Sequence, residues 1–374
     1  MNKILTLFLA INTLLSFSQN RCGTEYYSKI LTEKFPNYRN ERRKDNVQAE
    51  KWIKNHPKQN EKETIIIIPV VVHVVWNTNS ENISNSQVFS QIEILNADFR
   101  RTNIDSFMTP YVWKSIAADS KIEFCLAKID PNGNNTTGIT RTETNKTSFS
   151  MNDDVKHTNN GGINSWENDK YLNIWVCDLA GGILGYATQP WGNNINNEDG
   201  VVIGYECFGN TGTAQPPYNK GRTTTHEIGH WLNLDHLWGN GSCGNDQVSD
   251  TPDQDNENYD CGPFPLQTSS CNTTGANGTM YMNYMDYTND GCMNLFTNGQ
   301  KNRMITAINT KRTKLLNNNL CEVGISSITE NIKPTKKLVK IVDVLGKITN
   351  KKTKNRTLFY IYNNGIVERK IILE

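Results

Sequence analysis

Three of the chain's six histidines fall within eleven residues, in His226-Glu227-Ile228-Gly229-His230-Trp231-Leu232-Asn233-Leu234-Asp235-His236. His226 and His230 are four apart, so on a helix they share one face and direct two imidazoles at one ion. Glu227 flanks that face, where a carboxylate reaches a metal-bound water without ligating. His236 lies six beyond His230, and a continuing helix would carry it off the metal-facing side. The chain must turn, and Asn233 is the residue that accepts a positive φ most readily after glycine. Three neutral imidazoles leave a fourth position open for water, which is the arrangement of a catalytic zinc rather than a structural one. Zinc acidifies that water to a pKa of about 7, and Glu227 is placed to take its proton. The chemistry expected is metal-assisted hydrolysis.

Residue patterns predict the elements that hold this segment. Ile65 to Trp76 is a nearly continuous β-branched run, expected as a central strand with Pro69 at its start or at a bulge. Val88, Ile92, Leu95 and Phe99 recur at helical spacing between Ser86 and Arg100, with Ser84 or Ser86 as the N-cap. Further strands are expected at 122–127, 171–177 and 200–205. A helix should run from about Thr225, then a loop region rich in Asn, Asp, Gly and Cys to about Gly291, then a helix within 297–316. His73 lies in the apolar strand and reads as a packed, hydrogen-bonded side chain.

The chain has 374 residues and a formal net charge of +1, which excludes nucleic-acid binding through a whole-molecule positive field. The charge is unevenly placed: residues 64–322 hold 16 basic and 27 acidic side chains, between basic flanks. Lys3 opens a short apolar run, Ile4 to Ala10 with Leu14-Leu15, ending in Ser16-Phe17-Ser18-Gln19, which reads as a secretory signal over 1–18. No other apolar run is long enough to span a bilayer. Residues 19–63 read as a partly helical, mobile leader whose clusters Glu41-Arg42-Arg43-Lys44-Asp45 and Lys58-Gln59-Asn60-Glu61-Lys62 are open to proteolysis. Residues 323–374 read as a small all-β module, with Gly346 and Asn363-Asn364-Gly365 as turns. An exported chain can form disulfides, and nine cysteines leave at least one unpaired. By count alone Cys22 is either that free thiol or a partner for Cys321.

The spacing H-E-x-x-H-x-x-x-x-x-H resembles the metzincin zinc signature, with Asn233 in place of the usual glycine. Tyr281-Met282-Asn283-Tyr284-Met285-Asp286-Tyr287 is similar to the methionine turn of those enzymes, with Met285 beneath the metal. His236-Leu237-Trp238-Gly239, Cys243, Val248-Ser249-Asp250-Thr251-Pro252 and Asp290-Gly291-Cys292-Met293-Asn294-Leu295-Phe296-Thr297 narrow the resemblance to the pappalysins, ulilysin- and mirolysin-like, over residues 64–322. The resemblance implies an α/β (α+β) fold: a twisted mixed sheet, a zinc-binding active-site helix and a loop-rich subdomain stapled by disulfides. It implies a protein- or peptide-cleaving endopeptidase with zinc on His226, His230 and His236, and Glu227 as general base. Tyr287 would stabilise the tetrahedral intermediate, and the disulfides would be Cys243–Cys271 and Cys261–Cys292. Structural calcium would take Asp246, the Val248 carbonyl and Thr251. Cys22-Gly23-Thr24 resembles a latency segment whose thiolate fills the open zinc position.

The tail, Tyr360 to Lys370, is similar to the sorting domains read by type IX secretion in Bacteroidetes. That similarity implies export through the periplasm of a Gram-negative bacterium, to a secreted or surface location. The acidic body, with Asp290 near the primed-side pocket, suggests attraction to Lys or Arg beside the scissile bond. The alternative is a non-catalytic zinc-binding surface or adhesion protein, which would have no need of Glu227.

Overall fold

The computed structural model describes residues 21–56, 64–192, 197–239, 241–271, 274–316, 318–322, 338–344, 347–349, 357–362 and 367–371. The signal-like segment 1–18, the cluster at 58–62 and the turns at Gly346 and 363–365 lie outside them. Two compact units form, one within Met1–Gly324 and one within Ile325–Glu374.

The larger unit is built on β1 (Ile66–Trp76), whose buried run is flanked on both sides. β2 (Ile122–Leu126) and β3 (Ile139–Glu143) pair in parallel with its first and second halves, and β4 (Leu172–Cys177) pairs in parallel with it from Val70 onward. β6 (Val201–Gly204) follows in parallel, and the short β5 (Gly185–Ala187) closes the sheet as an antiparallel edge. Pro69 sits inside regular register opposite Cys125, not at a strand start or bulge. The Ile66 N–H and the Val70 carbonyl both bond toward the β2 side. By alternation, the donor that Pro69 lacks faces the other side, where pairing with β4 begins only at Val70.

The sheet separates two cores with the period of two that strands impose. Val70, Val72, Val74, Ile174, Val176, Val201 and Ile203 join one cluster with α3 (Asn85–Phe99), α4 (Arg222–Trp231) and α5 (Asn298–Lys311). Ser84 caps α3 by accepting from the Gln87 N–H at 3.2 Å, and Thr297 with Gln300 forms a capping box on α5. Val75, Trp175, Cys177 and Val202 face the other side, where Tyr186, Phe149 and Trp191 complete a second cluster.

The leader helices α1 (Thr24–Lys34) and α2 (Tyr38–Asn55) supply Tyr27, Leu31 and Tyr38 to that second cluster, so the described leader is docked rather than mobile. Within its first basic cluster, Arg42 pairs with Asp235 at 3.2 Å and Asp45 pairs with Lys311. These partners come from distant parts of the chain, which is why a local reading takes the cluster for a solvated site.

Three disulfides join Cys125 to Cys321, Cys243 to Cys271 and Cys261 to Cys292. Cys22, Cys177 and Cys207 are free and buried, so Cys321 is not the partner of Cys22. The smaller unit is an antiparallel sheet of β7 (Leu338–Asp343), β8 (Ile348–Thr349), β9 (Thr357–Tyr362) and β10 (Val367–Ile371), in the order β10-β9-β7-β8. Its core is Ile341, Leu358 and Tyr360.

Candidate metal centre and the leader across it

α4 starts three residues earlier than the sequence suggested, at Arg222, because Arg222 itself is held by buried partners. Its guanidinium pairs with Asp98 at 2.9 Å and Asp105 at 3.1 Å. The helix stops at Trp231, and Asn233 turns the chain with φ +73°. The Leu234 N–H then bonds the Gly229 carbonyl at 2.9 Å, which brings His236 back beneath the helix.

The Nε2 atoms of His226, His230 and His236 converge to 3.1 Å, 2.9 Å and 3.2 Å of one another. Each Nδ1 faces an acceptor: the Tyr284 carbonyl at 2.7 Å, the Leu234 carbonyl at 2.8 Å and a Glu25 carboxylate oxygen at 2.8 Å. Nδ1 therefore carries the proton in every ring, and three lone pairs point at one another with no proton between them. Burial and the neighbouring rings hold His226 and His230 well below the ordinary histidine value, so neither ring protonates to relieve this. Zinc with nitrogens at about 2.0–2.1 Å in tetrahedral array sets its ligands about 3.3 Å apart. The donor set fits zinc in both spacing and protonation.

The Cys22 sulfur is the fourth member of the cluster, with all four ligand atoms within 4.8 Å. Burial and the adjacent Glu227 carboxylate push the Cys22 thiol well above its usual value. A cation at the cluster is the charge that would convert it to a thiolate ligand. Burial pushes Glu227 up to about 7, while the Cys22 thiol and the Thr24 hydroxyl pull against it. Thr24 Oγ1 donates to Glu227 Oε2 at 2.9 Å, so the leader covers the would-be base as well as the metal position.

The leader crosses the site as an added strand. The Leu184 N–H bonds the Arg21 carbonyl at 3.1 Å and the Gly23 N–H bonds the Gly185 carbonyl at 2.8 Å, parallel to the β5 edge. Tyr287 Oη donates to the Cys22 carbonyl at 3.3 Å, and burial keeps that phenol protonated. Arg21 is buried in a pocket where Nη2 pairs with Asp290 Oδ1 at 3.0 Å, Nη1 donates to the Thr288 carbonyl and the Tyr218 ring lies 5.1 Å away. Asp290 also accepts from the Lys220 and Arg222 N–H groups. Glu25 and Tyr218 carry no local signal, Thr24 entered the sequence reading only beside Cys22, and Arg21 was marked only by its place directly before Cys22.

Met285 lies fully buried under the site, and a Cβ on Gly229 would meet its sulfur at 2.5 Å. Asp246, the Val248 carbonyl and Thr251 are brought together away from the histidines. Thr251 Oγ1 lies 2.8 Å from Asp246 Oδ2 and 3.0 Å from the Val248 carbonyl. Burial pushes Asp246 up to about 7.

The family model described as pregnancy-associated plasma protein-A, of the M43 peptidases, matches residues 150–309. An extracellular metalloprotease of Verticillium alfalfae is 37% identical over 146 residues, 38% of this chain and 51% of that relative. The chain thus spans about half the length of the first curated relatives it matches. An extracellular metalloprotease of Arthroderma otae is 30% identical over 250 residues, covering 65% of this chain and 77% of the relative. Among solved structures, mature mirolysin of Tannerella forsythia in complex with a cleaved peptide is 52% identical, covering 67% of this chain and 96% of that one, at a TM-score of 0.65. A promirolysin mutant from the same organism is 46% identical, covering 79% and 97%, at a TM-score of 0.71. The mixed sheet over a histidine-bearing helix is the metzincin fold, and the chain belongs to the pregnancy-associated plasma protein-A family, the pappalysin metalloproteases.

Proposed function

We propose that the protein is a secreted, zinc-dependent endopeptidase made in a latent form, with Glu227 as general base and acid. The observation that carries this reading is the convergence of three unprotonated Nε2 atoms beside a buried carboxylate. Zinc, when bound by His226, His230 and His236, supplies a Lewis acid that acidifies water and polarises the scissile carbonyl. Glu227 takes the proton of the attacking water and passes it to the leaving amine. In the leader-covered chain burial raises Glu227 to about 7, the direction that lets a carboxyl both take and return a proton. Tyr287 holds the developing oxyanion through its phenol, the group that holds the Cys22 carbonyl in the latent chain. Substrate adds a strand to the same β5 edge that the leader occupies.

The Arg21 pocket supports a preference for arginine over lysine beside the scissile bond. Two nitrogens of a planar fork meet Asp290 and the Thr288 carbonyl, and the Tyr218 ring lies over the guanidinium, a spread of contacts that suits arginine better than a point-charge ammonium. Cys22 at the open metal position and Thr24 on Glu227 make latency a property of one short segment. Asp246, the Val248 carbonyl and Thr251 form part of a structural calcium site. The C-terminal β unit serves as the sorting domain for type IX secretion, with export through the periplasm of a Gram-negative cell. The names of the curated relatives, extracellular metalloproteases, support a secreted location.

Casein cleavage by the full chain after limited proteolysis, beside a Glu227→Ala variant, tests the reading. Cleavage is expected in the first, lost on chelation and absent from the variant. A variant as active as the parent would overturn Glu227 as base, and activity untouched by chelation would overturn the zinc reading.

A further inference from the structure

The outer partners of the three imidazoles differ in where they come from. His226 and His230 are oriented by carbonyls of the catalytic body, Tyr284 and Leu234. His236 is oriented by Glu25, on the first turn of leader helix α1. The same carboxylate oxygen accepts from Trp238 Nε1 at 3.2 Å, and the Trp238 ring stacks on His236 with centroids 4.4 Å apart and planes 12° apart. Glu25 thus clamps the third imidazole and the indole that lies against it. When the leader departs, the body's own described residues leave Tyr284 and Leu234 in place, while His236 loses the only Nδ1 acceptor the structure gives it.

We propose that Glu25 is a positioning residue for the metal centre: by fixing the tautomer and tilt of His236 it makes the latent chain hold zinc more tightly than the mature enzyme, separately from the Cys22 thiolate. This rests on the zinc reading of the histidine cluster. A carboxylate accepting from the far nitrogen of a ligating imidazole strengthens the near nitrogen as a donor and removes the wrong tautomer. Such outer partners change metal affinity by about 10- to 100-fold. Glu25 is 53% exposed on its outer side, so solvent competes with the contact and the effect belongs at the lower end, about tenfold. The leader is then an element that loads the centre as well as one that blocks it, and zinc becomes easier to remove at activation.

Competition against a chromophoric zinc chelator tests this on the full chain. The variants are Glu25→Ala, Glu25→Gln, Cys22→Ala, the Cys22→Ala/Glu25→Ala pair and His230→Ala. Zinc affinity should fall about tenfold in Glu25→Ala and less in Glu25→Gln, whose amide oxygen still accepts from Nδ1. The same fall should appear when Glu25→Ala is made on Cys22→Ala. An affinity within about twofold of the parent for Glu25→Ala, or an effect that vanishes without Cys22, overturns the proposal. His230→Ala separates the two levels. If it binds zinc as well as the parent, the histidine cluster is not the metal site and the zinc reading itself fails.

Discussion

Arg21 and Asp290, 269 residues apart, form an ion pair at 3.0 Å in which neither side chain is more than 1% exposed. Asp290 is pushed up by its burial, and Arg21 is the first group that pulls it back. Removing one partner of a buried pair leaves the other charge uncompensated, at a cost of about 3–5 kcal/mol. Arg21→Ala should therefore loosen the leader and raise spontaneous casein cleavage by the unprocessed chain. Latency as tight as the parent's would show that the pair does not seat the leader.

Gly229 lies directly above the methionine turn. An alanine Cβ there would meet Met285 Sδ at 2.5 Å, closer than real Cβ contacts come. Overpacking of this kind costs about 1–3 kcal/mol, and the strain falls on the helix that carries His226 and His230. Gly229→Ala should lower the melting temperature and weaken zinc retention together. A melt unchanged from the parent would mean that Met285 moves aside freely.

His73 is fully buried between Thr140 Oγ1 at 2.7 Å and Asn173 Oδ1 at 2.9 Å, and burial holds it down at about 4. Between that value and the ordinary histidine value near 6.5, the unfolded chain binds a proton that the folded chain refuses. Stability is therefore lost as pH falls through this window, by about 2 kcal/mol between pH 7 and 4.5 from this residue. Urea unfolding at both pH values should show a gap between parent and His73→Gln that narrows by that amount at the lower pH. A constant gap would mean that folding leaves the proton affinity of His73 unchanged.

Asp246 gives a prediction for calcium. An ion that binds only the folded chain stabilises by about 2.7 kcal/mol at one hundred times its dissociation constant. Added calcium should raise the melting temperature of the parent and leave Asp246→Asn unmoved. An equal rise in both proteins would place the calcium elsewhere.

The convergence of the three histidines was legible because the helix and the Asn233 turn are local events, coded by a spacing of four and then six residues. The central strand was legible from its apolar run, and Pro69 misled only because the side its missing donor faces depends on where β4 begins. β3 is short and polar and β8 is two residues long, and both exist through pairing with β1 and β7 rather than through any pattern of their own. The leader's approach to the site was legible only in the segment Cys22-Gly23-Thr24. Arg21, Thr24 and Glu25 act on Asp290, Glu227 and His236, each more than two hundred residues away, and no periodicity encodes such contacts. Tyr27, Leu31 and Tyr38 were hidden in a strongly polar segment whose other apolar residues, exposed Tyr26 and Val47 among them, give no single face.

The Cys125–Cys321 disulfide closes residues 125–321 into a covalent ring. The chain enters that ring from β1 and α3 and leaves it toward the C-terminal β unit at the same bond. Along the covalent chain, tension between residues 125 and 321 passes across one sulfur–sulfur link. The helix carrying His226 and His230, the Asn233 turn and the Met285 turn all lie inside the ring, off that line of force. A pull applied beyond Cys321 therefore meets that bond before it stretches the backbone of the ring, whereas a pull on the leader reaches Glu227, His236 and Asp290 directly through Thr24, Glu25 and Arg21.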